Sequence, residues 1–131
     1  MKSLALVALP DRLAVARLPA GLPPPGWALA GDGFLALTRT EDEVSIIAPE
    51  DAIPPRVERE DGWRALRVDG TLDFALTGVL ASLAGPLAEA DVPIFAISTY
   101  DTDYILVRED DLERAVEALA AAGHRVSPPP G

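Results

Sequence analysis

Backbone amides at the start of a predicted helix are the first groups in this sequence with ligand-binding chemistry. Amides around Thr77, Gly78 and Val79 would point outward unpaired, and Gly78 lets a carboxylate approach the backbone closely. Asp73 and Asp101 are acceptors for an ammonium group, since a charge-assisted hydrogen bond contributes about 1.5 to 3 kcal/mol. A carboxylate site beside an ammonium site would fit the zwitterion of an amino acid.

Each of these residues also has a purely structural interpretation. Gly78 can relieve the packing of a helix against a sheet, and Asp73 or Thr77 can cap that helix. Asp101 and Asp103 fit a turn closed by their own side chains. These alternatives stay open from the sequence alone.

Catalytic and metal-binding chemistry find little support in the sequence. The chain has no cysteine and one histidine, His124, which follows a helix-ending glycine and is expected at the surface. No nucleophile and base can be paired around it. The acidic residues of 101–111 lack the glycine and the distant glutamate of a calcium loop. We therefore predict no catalytic residue, no metal site and no cofactor.

The composition of this 131-residue chain argues against two classes of binding partner. Its formal net charge is −10, so it repels phosphate backbones and anionic membranes, and neither nucleic acid nor a membrane is an expected partner. The apolar run 4–9 is too short to cross a membrane and lacks a signal-peptide cleavage pattern. We expect a cytoplasmic protein.

The second half of the chain is predicted to contain strands and helices that would position the candidate residues. Apolar periodicity predicts strands at 63–68, 92–99 and 104–107, helices at 77–90 and from 109 to Gly123, and a short strand at 124–126. Segment 92–99 is apolar on both faces, which is typical of an interior strand. The order strand, helix, strand, strand, helix, strand is that of an α+β ferredoxin-like fold, an antiparallel sheet with helices on one face.

The first half resembles a reduced copy of the same pattern. Thr38 stands 60 positions before Ser98, and Leu6 and Leu66 share that offset. Prolines between 19 and 25 leave room for little more than a turn around Trp27, and Pro54-Pro55 cuts the second helix short. We predict a first module made mostly of strands.

The segments 63–70, 72–80 and 94–107, above all the run ISTYDTDY at 97–104, closely resemble the CASTOR-like ACT domain proteins. These are similar to the regulatory ACT domains of aspartate kinases and to the CASTOR arginine sensors. The resemblance implies tandem ACT (βαββαβ) modules, a reduced one at 1–60, a complete one at 61–127 and a tail at 128–131. It also implies a non-catalytic regulatory sensor that holds an amino acid where two ACT modules meet.

Carried over residue by residue, the resemblance implies a ligand site in two parts. The loop before the first helix contributes Asp73, Phe74, Thr77, Gly78 and Val79. The second strand and its turn contribute Ser98, Thr99, Tyr100, Asp101 and Asp103.

The expected partners are a free amino acid and a second copy of the chain, because open strand edges need cover. Since the sequence holds no kinase domain, any regulated enzyme would be a separate protein. The alternative is a protein–protein interaction module without a small-molecule ligand.

Overall fold

The computed structural model describes residues 3–70, 72 and 77–129. They form, in chain order, β1 (Ala5–Ala8), β2 (Leu13–Pro19), α1 (Gly26–Leu29), β3 (Ala36–Arg39), β4 (Glu43–Pro49), β5 (Arg59–Val68), α2 (Val79–Glu89), β6 (Ile94–Ser98), β7 (Asp103–Arg108), α3 (Leu112–Ala121) and β8 (Arg125–Ser127). Short 3-10 turns at Glu50–Ala52 and Glu109–Asp111 follow β4 and β7.

Two compact units make up the chain. The larger unit comprises Met1–Pro10 and Arg64–Gly131, and the smaller unit comprises Asp11–Trp63, so the division falls within β5. The predicted boundary at residue 60 assigned residues 1–10 to the first module. They belong to the larger unit because β1 pairs antiparallel with β5 and parallel with β8.

The larger unit has the predicted mixed α+β architecture. Its sheet runs β8-β1-β5-β7-β6, and α2 and α3 alternate with its strands along the chain. Its core is aliphatic, as the apolar periodicity of both helices requires. Buried in it are Leu6, Ala8, Leu66, Val68, Leu83, Leu87, Val92, Ile105, Val107, Ala115 and Leu119.

His124 is buried in the larger unit, so the expected surface position was wrong. Its side chain is 6% exposed. The Leu4 N–H donates to its Nδ1 at 3.0 Å, which leaves Nε2 to donate to the Ser82 carbonyl at 3.1 Å. The ring thus joins the segment before β1, helix α2 and the start of β8, three elements that no sequence pattern links.

Strand β6 is less covered than its two-faced apolar pattern indicates. It pairs with β7 alone among the described strands, and Phe95 remains 37% exposed, with Ala96 also exposed. The interpretation as an interior strand was therefore wrong for these residues. The apolar residues of β6 reflect an exposed edge of the sheet.

The smaller unit repeats the strand order of the larger unit without a counterpart of β1, and it has fewer helices. Its strands run β3-β4-β2-β5, and its helix α1 is four residues long, as the flanking prolines predict. Trp27 packs against the buried core of this unit, where the complete module has a helix. The predicted reduction of the first module is confirmed.

The internal repeat is present, but its register differs from the predicted one. In each β-hairpin a threonine N–H donates to a carbonyl three residues on, Thr40 to Glu43 at 2.9 Å and Thr99 to Thr102 at 2.8 Å. These threonines lie 59 positions apart, one fewer than the predicted 60. Leu6 also has no counterpart in Leu66, because it lies in β1, which pairs with β5 itself.

Candidate functional site

The hairpin turn between β6 and β7 is fixed by its own side chains. Thr99 Oγ1 donates to the Thr102 carbonyl at 3.2 Å and accepts the Thr102 N–H at 3.3 Å. Ser98 Oγ donates to Asp103 Oδ1 at 2.5 Å across the pair of strands. Thr99, Ser98 and Asp103 therefore shape the turn, which leaves Tyr100 and Asp101 at its exposed tip.

Two hydrogen bonds hold this turn, one to the end of β5 and one to the loop that follows it. The buried Thr102 hydroxyl donates to the Val68 carbonyl at 2.7 Å. The Leu72 N–H donates to the Asp101 carbonyl at 2.6 Å. The turn therefore contacts the loop after β5 at Leu72, the residue before Asp73.

Helix α2 begins at Val79, and no side chain in the described part of the chain caps it. Its N-cap residue is Gly78, at φ 78° and ψ 2°, a left-handed conformation that favours glycine. Thr77, one of the two predicted caps, does not fill that role, and the first helical bond runs from Ser82 N–H to the Gly78 carbonyl at 2.9 Å. The amides of the first turn have no intrahelical acceptor, and Thr77 and Gly78 are exposed.

The ten predicted site residues fall into three groups. Asp73 and Phe74 lie outside the described residues. Thr77, Gly78 and Val79 form the beginning of α2. The five residues at 98–103 form the end of β6, the turn and the start of β7, and Asp101 has an exposed carboxylate that makes no hydrogen bond or ion pair with the described residues.

Sequence reasoning missed Thr102, the residue that attaches the turn to β5. It is one of two buried polar side chains among the described residues. Threonine in a turn is ordinary, so its type gave no signal. Its neighbours on both sides are acidic, and a lone uncharged side chain between two aspartates was the one available indication.

The described residues contain no group of three His, Asp or Glu side chains placed to hold a metal ion. None of the helices found in that part of the chain combines the length and apolar character needed to span a membrane. The groups at the candidate site that could bind a ligand are therefore backbone amides, hydroxyls and the Asp101 carboxylate.

Comparison with known proteins places this geometry in a family. Residues 58–121 match the family model of the ACT domain, and residues 11–56 match a second model described as an N-terminal domain. The human cytosolic arginine sensor for mTORC1 subunit 1 is 43% identical over 58 residues. The solved structure of protein Atu0741 from Agrobacterium tumefaciens is 37% identical with a TM-score of 0.93, over 100% of this chain and 97% of that one. This chain belongs to the CASTOR-like ACT domain proteins.

The aligned length and the sequence identity of each match limit what can be concluded about this ACT domain protein. The match to the human sensor covers 44% of this chain and 18% of the sensor, so the chain spans under a fifth of that relative. The aspartate kinase of Clostridium acetobutylicum has a TM-score of 0.69 at 15% identity, over 89% of this chain and 33% of that one. That likeness shows the ACT fold alone.

Proposed function

We propose that this protein is a non-catalytic regulatory sensor that binds a free amino acid between the start of α2 and the β6–β7 turn. The observation that carries the proposal is the first turn of α2, which follows Gly78 and for which no residue of 3–70, 72 and 77–129 supplies a side-chain cap. Exposed amides at a helix N-terminus favour a carboxylate through their hydrogen bonds and through the helix dipole.

Asp101 supplies the second half of the proposed recognition. Its carboxylate is exposed, makes no hydrogen bond or ion pair with the described residues, and sits in a turn attached to β5 by Thr102. A rigid acceptor lowers the entropy cost of binding an ammonium group. The family of the chain supports the same reading, since the human relative is named as an arginine sensor and as cytosolic.

A second copy of the chain is the proposed partner that closes the site. The edge of β6 exposes Phe95 and Ala96, and this strand ends at Ser98, the first residue of the proposed site on the hairpin. Two such edges can pair antiparallel about a two-fold axis. The position of the ligand at a junction of two ACT modules, and a separate enzyme that receives the signal, are parts of the same proposal.

A thermal-shift screen of the twenty amino acids, each at millimolar concentration, tests the proposal. A ligand that binds only the folded state raises the melting temperature by mass action. Asp101→Asn should weaken binding of the best ligand by about 10- to 100-fold, because a charge-assisted hydrogen bond becomes a neutral one. Asp110→Asn, an equally charged change at another exposed site, is the matched control.

The screen also separates the alternative function. If none of the twenty amino acids raises the melting temperature, the protein–protein interaction module replaces the sensor. If a ligand binds equally well to wild type, Asp101→Asn and Asp110→Asn, the sensor stands but the site is wrong. Sedimentation of the chain with and without the best ligand then reports whether self-association depends on it.

A further inference from the structure

The smaller unit contains a surface concavity that the predicted site does not include. Its volume is about 880 Å³. It lies between the loop that follows β2 and the turn that joins β3 to β4. Its lining residues are Ala20, Gly21, Leu22, Pro23, Arg39, Thr40 and Glu41.

This concavity occupies the position in the repeat at which the larger unit has its proposed amino-acid site. The β3–β4 turn has the same bonding as the β6–β7 turn, with the Glu43 N–H donating to Thr40 Oγ1 at 3.2 Å and the Thr102 N–H to Thr99 Oγ1 at 3.3 Å. The shared register matches residues 39–41 with residues 98–100. The loop after β2 likewise corresponds to the loop after the second half of β5.

The side chains in the concavity differ from those at the matching positions. Arg39 stands where the larger unit has Ser98, and Glu41 stands where it has Tyr100. Both charged side chains are exposed and make no ion pair with the described residues. A guanidinium binds a carboxylate through two parallel hydrogen bonds, and a glutamate accepts from an ammonium group.

The wall that the loop after β2 contributes is apolar. Leu22 is 44% exposed, and Pro23 follows it in the same loop. Gly21, at φ 87°, turns the chain at this point, and a side-chain atom added to it would meet nothing within 4 Å. An aliphatic group of a ligand would therefore remove apolar surface from water here, while its charged end met Arg39.

We infer that the smaller unit holds a second binding site, for a zwitterionic amino acid with an aliphatic side chain, whose carboxylate pairs with Arg39 and whose ammonium group faces Glu41. The inference rests on the proposed function, because the concavity is matched by the repeat to the amino-acid site proposed in the larger unit. Its binding chemistry is its own, because the carboxylate is held by a guanidinium rather than by helix amides. One chain would then carry two sites of different selectivity.

Amide chemical shifts of the full chain, followed by NMR during a titration with L-leucine, test this inference. Saturable shifts are expected at the amides of Gly21, Leu22, Arg39, Thr40 and Glu41. 4-Methylpentanoate, which lacks the ammonium group, and isoamylamine, which lacks the carboxylate, should each bind at least about 10-fold more weakly, because each loses one charge-assisted contact. Arg39→Gln should weaken L-leucine binding by a similar factor, and Arg56→Gln, at another exposed arginine of the same unit, should not.

The outcomes separate this inference from the proposed function. If L-leucine at about 10 mM moves none of the five amides, or if Arg39→Gln leaves the shifts unchanged, the second site does not exist. Shifts of Gly78 and Asp101 without shifts at the five amides would overturn the inference and leave the proposed function standing. The reverse pattern, unaffected by Asp101→Asn, would support the second site alone. The spectrum of each variant shows directly whether it is folded.

Discussion

The larger and the smaller unit share a strand order and differ in their helices. Both order their strands alike apart from the inserted β1, and both close the central hairpin with a threonine turn. The larger unit has helices of 11 and 10 residues, whereas the smaller has the four-residue α1 and a 3-10 turn of three residues. The sheet and its hairpin are thus the constant part of the fold. A helix can be lost if another group takes over its bonding.

Arg59 takes over that bonding in the smaller unit. Its guanidinium donates to the carbonyls of Glu50 at 3.2 Å and Ile53 at 3.1 Å, and also to the carbonyl of Pro54. Its Nε donates to the Val57 carbonyl at 3.3 Å. In the larger unit, the helical bonds of α3 satisfy the carbonyls of the matching segment. One partly buried side chain therefore satisfies carbonyls that helical bonds satisfy in the larger unit.

Of the changes that test the difference between the two units, removing that guanidinium should cause the largest loss of unfolding free energy. Arg59 is 14% exposed, so Arg59→Gln leaves several carbonyls without a donor and should cost about 2 to 3 kcal/mol of unfolding free energy. Both tryptophans lie in the smaller unit, so their fluorescence during urea denaturation reports the loss there. Arg56→Gln, at an exposed arginine nearby, should change stability by less than about 0.5 kcal/mol. Equal effects of the two changes would mean that Arg59 does not stand in for a helix.

The next largest effect on stability is expected at two arginines, each of which pairs with the glutamate that opens a 3-10 turn in its own unit. Arg12 lies 3.4 Å from Glu50, and Arg64 lies 3.6 Å from Glu109, with each glutamate opening a 3-10 turn. The Arg64 side chain is 14% exposed and also donates to the Leu9 carbonyl at 2.9 Å, whereas Arg12 is 53% exposed.

Arg64→Gln should therefore cost about 1.5 to 3 kcal/mol, and Arg12→Gln less than about 1 kcal/mol. Far-ultraviolet circular dichroism during denaturation is the measurement for Arg64, since α2 and α3 lie in its unit. A larger loss for Arg12 than for Arg64 would contradict the view that burial, rather than the ion pair, sets the difference.

The two turn threonines should show the smallest effect and the closest match. Thr40→Val and Thr99→Val each remove hydroxyl bonds within an exposed turn, so each should cost about 0.5 to 1.5 kcal/mol. Hydrogen exchange at the Glu43 and Thr102 amides measures each loss separately. A marked effect at one threonine and none at the other would break the correspondence of the two hairpins.

The sequence was sufficient for the elements that depend on local pattern. Apolar spacing and prolines predicted α2, α3, the hairpin at β6 and β7, and the shortened α1. The repeat was visible too, because turn residues stand at similar positions in both halves. Its register was missed by one residue, because polar turn residues and apolar strand residues of the two halves also match by type at an offset of 60.

What the sequence did not reveal depends on contacts between distant segments. The run 5–8 fits a first strand of the first module, and its place between β5 and β8 follows only from pairing across the chain. The burial of His124 and Thr102 has the same origin, because each bonds to a carbonyl far away in sequence. For the candidate site, the residue types of the turn were predicted, but their division into turn-forming and exposed groups depends on hydrogen bonds made in the folded hairpin.

The place of β1 has a consequence for how the protein is made. The bond from Leu4 to His124 spans 120 positions, and β1 pairs with β8 at Leu6 and Val126. Among the described strands β1 is the first to be synthesised and β8 the last, so β1 lacks this partner until both units have been made. The smaller unit, continuous at Asp11–Trp63, is complete in sequence much earlier and can fold during synthesis. The late pairing of β1 with β8 is a long-range contact of the kind that slows folding, and an unpaired apolar strand is a point at which a folding chain can associate with others.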